Sequence, residues 1–323
     1  MGLLVNGEWQ DQWYDTTKTK GRFERETAGF RHWITKDGSS GFKAEPGRYH
    51  LYVSLACPWA HRTLIFRKLK QLESLISVSV VSPDMLDKGW SFDPDTGSTG
   101  DDLYQSEFMH QIYTRDTPNY TGRVTVPVLW DKKTERIVSN ESSEIIRMLN
   151  TEFNELTGNN DDFYPEALRA DIDEINDLVY HTINNGVYKA GFATEQSVYE
   201  KACKALFSTL DLLESTLAGQ KYLCDDRLTE ADWRLFTTLV RFDAVYHGHF
   251  KCNLKKLVEY PNLWAYIREL YQYPGVLETV NLEQIKQRYY GSHESINPTR
   301  IVPLGPEIDF MEPHGRTEEK DNN

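Results

Sequence analysis

A strand-like run that leads through Cys57–Ala60 (Cys-Pro-Trp-Ala) into a helix-like segment constrains the fold of this chain more than any other feature. The run is residues 49–54, and residues 58–72 carry apolar side chains at the spacing of one helix face. Proline lacks a backbone N–H and has a fixed φ, so Pro58 suits the first helical position. Cys57 is therefore predicted to cap the helix, where unpaired N–H groups and the positive end of the helix dipole favour a thiolate. The apolar residues of that face are Ile65, Leu69 and Leu72.

Ala60 stands at the fourth position of this motif, so no resolving cysteine follows Cys57 one helical turn on. An attacking Cys57 thiolate is then expected to form a mixed disulfide with an external thiol. The alternative is a small apolar cysteine in an ordinary helix-start turn, which is how most free cysteines occur. The order of strand, Cys-Pro pair and helix favours the catalytic interpretation.

Length and charge narrow the classes of function. A chain of 323 residues is long for one core and fits two domains. Its formal net charge of −13 argues against nucleic-acid or anionic-membrane partners. The N-terminus has neither a basic n-region nor an apolar h-region, and no apolar run is long enough for a transmembrane helix, so we expect a cytoplasmic protein. Its four cysteines are then expected to be reduced thiols.

Residues 49–150 alternate strand and helix patterns in the order βαβ, then ββα, which is typical of a thioredoxin-like domain. A long Gly-, Asp- and Ser-rich loop that carries Trp90 separates the two halves. The predicted elements are strand 49–54, helix 58–72, strand 76–81, loop 82–101, helix 103–115, strand 124–130, strand 137–138 and helix 141–150. The predicted fold class is thus an α/β domain of this kind followed by an all-α domain.

Pro127 and the stretch Asn140–Ser142 add two binding features to the predicted α/β domain. A proline within a strand run is unusual, and the thioredoxin-like pattern places a cis proline there beside the reactive cysteine. That geometry exposes the backbone of Val126 to a peptide ligand. Glu141 and Ser142 start the next helix, where free N–H groups form an anion site and the carboxylate can accept from an ammonium group. Together they suit the γ-glutamyl end of glutathione, although an ordinary edge proline and an ordinary helix cap are the alternatives.

The remaining chain divides into a helical domain and two extensions. Residues 1–48 hold too many aromatic side chains for a purely disordered arm and are expected to pack on the body of the protein. Residues 151–164 are predicted as a linker, residues 165–290 as all-helical, and residues 291–323 as a C-terminal extension whose acidic tail, Glu318–Asp321, is solvated. Within the helical domain, Thr229–Asp232 is a start signal like a capping box.

Two further groups of residues are candidates for a metal site or a catalytic base, but neither role is predicted. His247, His249 and Cys252 lie close in sequence, but a structural zinc site needs four ligands and no fourth is evident, so no metal is predicted. His61 follows Cys57 by one helical turn, and packing or capping explains it better than a role as a base.

Several long motifs together resemble the glutathionyl-hydroquinone reductases, the Xi class of glutathione transferases. The resemblance covers about residues 1–315. The motifs are residues 49–62 (YHLYVSLACPWAHR), 123–131 (RVTVPVLWD), 139–142 (SNES), 184–192 (NNGVYKAGF), 239–243 (LVRFD) and 296–298 (INP).

The resemblance implies roles for single residues. Cys57 matches the family's nucleophile, and Tyr188 matches the tyrosine that donates or accepts a proton. Tyr246 and Tyr289 match two tyrosines that stabilise the thiolate, which charge-assisted hydrogen bonds from tyrosine O–H groups would explain. The implied glutathione contacts are Trp90, Arg123, Val124, Thr125, Val126, Glu141 and Ser142. Without the resemblance, Tyr188, Tyr246 and Tyr289 would not stand out among the 18 tyrosines.

The implied activity is the glutathione-dependent reduction of glutathionyl-hydroquinones by a homodimer, with glutathione as co-substrate and no bound cofactor. Two other functions stay open on the sequence. One is a thiol transferase or dehydroascorbate reductase of the omega kind, and the other is a non-enzymatic scaffold. A conjugating transferase is disfavoured, because such an enzyme activates the glutathione thiolate with Ser or Tyr, whereas this chain has Cys57 at that position.

Overall fold

The computed structural model describes residues 2–316, which form two units. Unit 1 comprises residues up to Thr19, Phe23–Asp162 and Thr279–Pro303, and unit 2 comprises Lys20–Arg22, Phe163–Glu278 and the residues from Leu304. The acidic tail, Glu318–Asp321, lies outside the described residues. Among the residues described, no helix is both long enough and apolar enough to cross a membrane.

Within residues 2–316, the two units contain short strands and ten α-helices. The strands are β1 (Leu3–Val5), β2 (Glu8–Gln10), β3 (Ile34–Thr35), β4 (Phe42–Lys43), β5 (Tyr49–Val53), β6 (Ile76–Val80), β7 (Met85–Leu86), β8 (Gly89–Trp90), β9 (Gly122–Arg123), β10 (Val128–Asp131) and β11 (Arg136–Ser139). The helices are α1 (Pro58–Leu69), α2 (Met109–Asp116), α3 (Ser142–Thr151), α4 (Asn154–Thr157), α5 (Arg169–Val179), α6 (Gly186–Gly191), α7 (Gln196–Leu217), α8 (Glu230–Leu239), α9 (Pro261–Gln272) and α10 (Leu282–Ser292).

The central sheet of unit 1 has the order β11-β10-β5-β6. Strands β5 and β6 are parallel because helix α1 connects them, whereas β10 runs antiparallel to both β5 and β11. All five residues of β5 are buried, as expected for an inner strand of a sheet that is covered on both faces. The βαβ and ββα halves of the thioredoxin-like prediction are therefore confirmed.

Three element boundaries in unit 1 differ from the prediction by more than one residue. The helix predicted over residues 58–72 ends at Leu69. The helix predicted over residues 103–115 begins only at Met109. The reason is Asp101, whose buried carboxylate accepts hydrogen bonds from the N–H groups of Leu103 (3.1 Å) and Ser106 (3.0 Å) and holds that segment in a turn. The strand predicted over residues 124–130 begins at Val128, directly after Pro127, which has no N–H to donate.

The segment Thr279–Pro303 belongs to unit 1, although the sequence assigned residues up to 290 to the helical domain. Helix α10 joins the β7–β8 hairpin through a hydrogen bond of 3.1 Å from the Met85 N–H to Ser292 Oγ. Ahead of α10, Thr279 Oγ1 lies 2.8 Å from Nε2 of His61, which is fully buried on α1. His61 thus has a packing role, as the sequence suggested.

The N-terminal extension contributes the four strands β1 to β4 to unit 1. Strand β1 pairs antiparallel with β9, so that Leu3 faces Arg123 in the register. Leu4, Phe23 and Phe30 are buried. Residues up to Thr19 and from Phe23 to Arg48 are thus part of unit 1.

Residues 163–278 of unit 2 form mainly helices joined by short loops. Helix α8 begins at a capping box in which Thr229 Oγ1 accepts from the Ala231 N–H and the Asp232 carboxylate accepts from the Thr229 N–H (2.8 Å). The same buried carboxylate accepts a hydrogen bond from Tyr266 Oη (2.8 Å) on α9, which ties the two helices together. The predicted linker 151–164 contains the short helix α4, which Gly158 ends in the left-handed region at φ 74°.

Candidate active site

Cys57 lies at the N-terminal cap of α1, as the sequence predicts. Its φ and ψ of −78° and 121° are extended, and Pro58 occupies the first turn of the helix. The Cys57 carbonyl accepts the first helical hydrogen bond, from the His61 N–H at 2.9 Å. Within residues 2–316 the Cys57 side chain makes no capping hydrogen bond to the helix, so the thiol points elsewhere.

The Cys57 thiol donates to the carbonyl oxygen of Val126 at 3.4 Å. The Val126–Pro127 peptide bond is cis, which is the geometry that the thioredoxin-like pattern predicts. The contact joins the start of α1 to the entry of β10. A half-buried thiol, the carbonyl before a cis proline and a helix N-terminus therefore meet at one place.

The other three cysteines are buried and chemically different from Cys57. Burial raises the pKa of the Cys224 thiol to about 11 and also raises the pKa values of Cys203 and Cys252. These thiols are protonated at neutral pH, and a protonated buried thiol is a poor nucleophile. Cys57 is thus the one partly exposed thiol in the described part of the chain.

The stretch from Arg123 to Val126 is held from two sides. The Arg123 guanidinium donates to the carbonyls of Gln12 and Trp13, with the Trp13 bond at 3.4 Å, and lies 4.2 Å from the ring centroid of Tyr14. Its Nε is 3.5 Å from the exposed carboxylate of Glu26. The N-terminal extension therefore fixes the direction of the Arg123 side chain.

Tyr113 contacts the stretch from Arg123 to Val126 through its hydroxyl group. Its buried hydroxyl donates to the Thr125 carbonyl (2.9 Å) and accepts from the Thr125 N–H (3.2 Å) and from Asn140 Nδ2 (3.1 Å). Val124 is also buried. One hydroxyl thus links the residues before Pro127 to the segment that starts α3.

Glu141 and Ser142 begin α3, but each already has a partner within unit 1. Glu141 is the N-cap residue, and its carboxylate accepts from the N–H (3.0 Å) and the hydroxyl (2.8 Å) of Ser143. Ser142 Oγ accepts from the buried Arg62 guanidinium at 3.4 Å. Arg62 in turn stacks 4.6 Å from the ring of Trp59. Arg62 therefore connects α1, the helix that follows Cys57, to the start of α3.

Trp90 and Tyr289 lie in a second part of unit 1. Trp90 ends the β7–β8 hairpin and is 5% exposed, and the Arg288 guanidinium covers its ring at 4.9 Å. Tyr289 packs edge-on against His293 with ring centroids 5.5 Å apart, and Trp13 packs on the same imidazole at 5.8 Å.

Tyr188 and Tyr246 are brought together in unit 2. Their ring centroids are 6.2 Å apart, and both contact Phe250, at 5.5 Å and 5.6 Å. Tyr246 ends a π-helical turn, Phe242–Tyr246, a distortion that is frequent at functional sites. The Tyr188, Tyr246 and Phe250 rings form an aromatic cluster within this unit.

Sequence reasoning missed several residues around these groups: Tyr14, Arg62, Tyr113, Phe250 and Arg288. Phe250 packs closely on Gly191, where an added Cβ would lie 2.2 Å from the Phe250 ring. The metal hypothesis at His247, His249 and Cys252 gains no support, since within residues 2–316 no group of three His, Cys, Asp or Glu side chains is placed to hold an ion.

Comparisons with known proteins agree with the two halves of the fold. Residues 56–152 match the family model described as glutathione S-transferase, N-terminal domain. Residues 196–269 match the model described as glutathione S-transferase, C-terminal domain.

Full-length relatives point to one family within the glutathione transferases. The glutathionyl-hydroquinone reductase YqjG of Escherichia coli is 56% identical, with 98% of each chain covered. The glutathionyl-hydroquinone reductase PcpF of Sphingobium chlorophenolicum is 53% identical, over 95% of this chain and 96% of that one. The glutathione-bound structure of YqjG superposes with a TM-score of 0.91 over 98% of this chain and 99% of that one. The Xi class transferase of Natrialba magadii, 49% identical, gives 0.91 over 98% and 96%.

Proposed function

Because the chain belongs to the glutathionyl-hydroquinone reductases, the Xi class of glutathione transferases, we propose that it reduces glutathionyl-hydroquinones at the expense of glutathione. The observation that carries this proposal is the half-buried Cys57 thiol at the start of α1, 3.4 Å from the carbonyl before cis-Pro127. The other described thiols are buried and have raised pKa values, so a thiol-based reaction depends on Cys57.

The first half-reaction transfers glutathione from the aromatic ring to the enzyme. The Cys57 thiolate attacks the glutathione sulfur, a sulfur–sulfur bond forms, and the sulfur–aryl bond breaks. The electron pair of the broken bond stays with the ring carbon, which takes up a proton. Tyr188 is the proposed donor, and Tyr246 and Tyr289 are proposed to stabilise the thiolate through their hydroxyl groups.

The second half-reaction restores the free thiol. A second glutathione thiolate attacks the mixed disulfide, releasing oxidised glutathione and the Cys57 thiolate. The sum is one glutathionyl-hydroquinone and one glutathione converted to one hydroquinone and one glutathione disulfide. Ala60 suits this cycle, because a cysteine at that position would resolve the mixed disulfide internally.

Glutathione binding is proposed to use the residues around Cys57. The exposed edge of a peptide ligand pairs with the Val126 backbone, and Arg123 attracts a carboxylate. The Glu141 carboxylate and the N-terminus of α3 receive the ammonium and carboxylate of the γ-glutamyl end. Trp90 is proposed as a further contact. Glutathione enters as a co-substrate, and the cycle uses no bound cofactor. A cytoplasmic location and a homodimeric state are further proposals, and the homodimer rests on the resemblance to the family.

Steady-state turnover tests the proposal. Wild-type protein, Cys57→Ser and the matched control Cys203→Ala are incubated with a glutathionyl-hydroquinone and glutathione, and both hydroquinone and glutathione disulfide are quantified. We expect equal release of the two products by the wild type and the control, and none by Cys57→Ser. Release of hydroquinone by Cys57→Ser at the wild-type rate would overturn the role of Cys57. A folded wild type that reduces a small mixed disulfide but not the aromatic substrate would favour the thiol-transferase function instead.

A further inference from the structure

Arg288 has a buried guanidinium that contacts both strands of the β7–β8 hairpin and the C-cap residue of its own helix. It lies on α10 and is 5% exposed. Its central carbon is 4.9 Å from the centroid of the Trp90 ring. Nη2 donates to Met85 Sδ at 3.5 Å, and Nη1 lies 3.2 Å from Nε2 of His293. The side chain is therefore held at three points around one planar group.

The contacts of Arg288 with Met85 and Trp90 are part of the interface between α10 and the β7–β8 hairpin. Met85 is the cross-strand partner of Trp90 in that hairpin. On either side of Arg288, Gln287 Nε2 donates to both carboxylate oxygens of Asp84 at 3.1 Å, and Ser292 Oγ accepts from the Met85 N–H at 3.1 Å. These flanking hydrogen bonds join α10 to the start of the hairpin. Of Gln287, Arg288 and Ser292, Arg288 is the residue that covers the face of the Trp90 ring.

We propose that Arg288 is a positioning residue for Trp90, which it holds in the orientation that contacts glutathione. This inference rests on the proposed function, in which Trp90 belongs to the glutathione site. A guanidinium is planar and attracts the negative face of an indole ring. The hydrogen bonds to Met85 and His293 fix the plane of the guanidinium, so the guanidinium in turn limits rotation of the ring. A lysine offers one compact charge and cannot make the same three contacts at once.

Glutathione binding tests the proposal without any aromatic substrate. Dissociation constants for glutathione are measured by calorimetry in a Cys57→Ser background for Arg288→Met, Arg288→Lys, Trp90→Phe and the Arg288→Met, Trp90→Phe double variant. We expect Arg288→Met to weaken binding about tenfold, which corresponds to about 1.4 kcal/mol. Arg288→Lys is expected to fall between wild type and Arg288→Met. Because Arg288 acts through the indole, Arg288→Met should cost less than twofold once Trp90 is phenylalanine.

A matched control is Arg169→Met, which removes a comparable stacked pair in unit 2, where Arg169 lies 5.1 Å from the Tyr164 ring centroid. It should leave glutathione affinity unchanged. Circular dichroism and thermal melts identify any variant that does not fold, and Arg288→Lys then carries the test. Wild-type affinity in folded Arg288→Met, or a loss that is the same with Trp90 and with Phe at that position, would overturn the proposal. Since binding is read directly, failure of hydroquinone reduction would leave this result interpretable.

Discussion

Removing the hydroxyl of Tyr113 should loosen the backbone before Pro127 while leaving the Tyr113 ring in place. The hydroxyl is the partner of the Thr125 carbonyl, the Thr125 N–H and Asn140 Nδ2, at 2.9, 3.2 and 3.1 Å, and Tyr113 is fully buried. Tyr113→Phe leaves the two N–H donors unpaired. A buried donor without a partner costs about 1–3 kcal/mol, so we expect a loss of about 3 kcal/mol, with the larger share at the buried Asn140.

Hydrogen exchange read by mass spectrometry measures this loss locally, which suits a chain of two units that need not unfold together. Protection of the peptides that span residues 123–131 should fall on the order of 100-fold, since each 1.4 kcal/mol corresponds to a factor of ten. The KM for glutathione should rise with little change in kcat. The matched control is Tyr120→Phe, because the Tyr120 hydroxyl makes one long hydrogen bond of 3.5 Å, to the Arg123 carbonyl. Equal protection in the two variants would refute the reasoning.

Three other perturbations have defined outcomes. Arg48→Met should destabilise unit 1 by about 3–5 kcal/mol in chemical denaturation. It removes the ion-pair partner of the buried Asp131 carboxylate, whose Oδ2 lies 2.7 Å from Arg48 Nη2. Burial alone would raise the pKa of Asp131, but hydrogen bonds, first of all from Arg48, lower it overall in the folded protein. The stabilisation from this pair is therefore present above the pKa of Asp131 in the unfolded chain, and it is lost as pH falls through the pKa of Asp131 in the folded protein. Acid unfolding of Arg48→Met should therefore begin at a higher pH. Gly191→Ala should destabilise unit 2 by about 1–3 kcal/mol in thermal melts, because the new Cβ would meet the Phe250 ring at 2.2 Å. Tyr188→Phe should lower kcat by about 10²–10⁴-fold in the turnover assay while leaving glutathione affinity unchanged.

Each of these has a control within the chain. Arg300→Met removes an exposed ion pair to Glu294 at 3.1 Å and should change stability by less than about 1 kcal/mol. Gly219→Ala places a Cβ 3.8 Å from its nearest neighbour and should be neutral. A neutral Gly191→Ala, or an Arg48→Met variant whose acid unfolding matches wild type, would contradict the packing and charge arguments. Loss of glutathione affinity in Tyr188→Phe would assign that residue to binding instead of proton transfer.

The features that sequence predicted well are local ones. A proline at the first helical position places Cys57 at the cap whatever surrounds it, and the Thr229–Asp232 capping box depends on residues three apart. The start of α2 was harder, because the Asp101 carboxylate competes for N–H groups that a helical pattern alone assigns to a helix.

The features that sequence could not supply depend on contacts between distant segments. Nothing in the pattern around Arg288 indicates that its guanidinium covers Trp90, and nothing near Tyr14 indicates that its ring covers Arg123. Both contacts exist because a terminal segment packs on the sheet unit. The assignment of α10 to unit 1 has the same origin, since its periodicity matches that of any amphipathic helix.

The central claim is that Cys57 takes glutathione from the aromatic substrate before any second glutathione reacts. Intact-protein mass spectrometry after mixing with a glutathionyl-hydroquinone, with no free glutathione present, tests it directly. The account predicts a mass gain of one glutathione moiety, located on Cys57 by peptide mapping, together with one free hydroquinone for each adduct. A modified protein that retains the aromatic ring, or hydroquinone release with no adduct on Cys57, would contradict it.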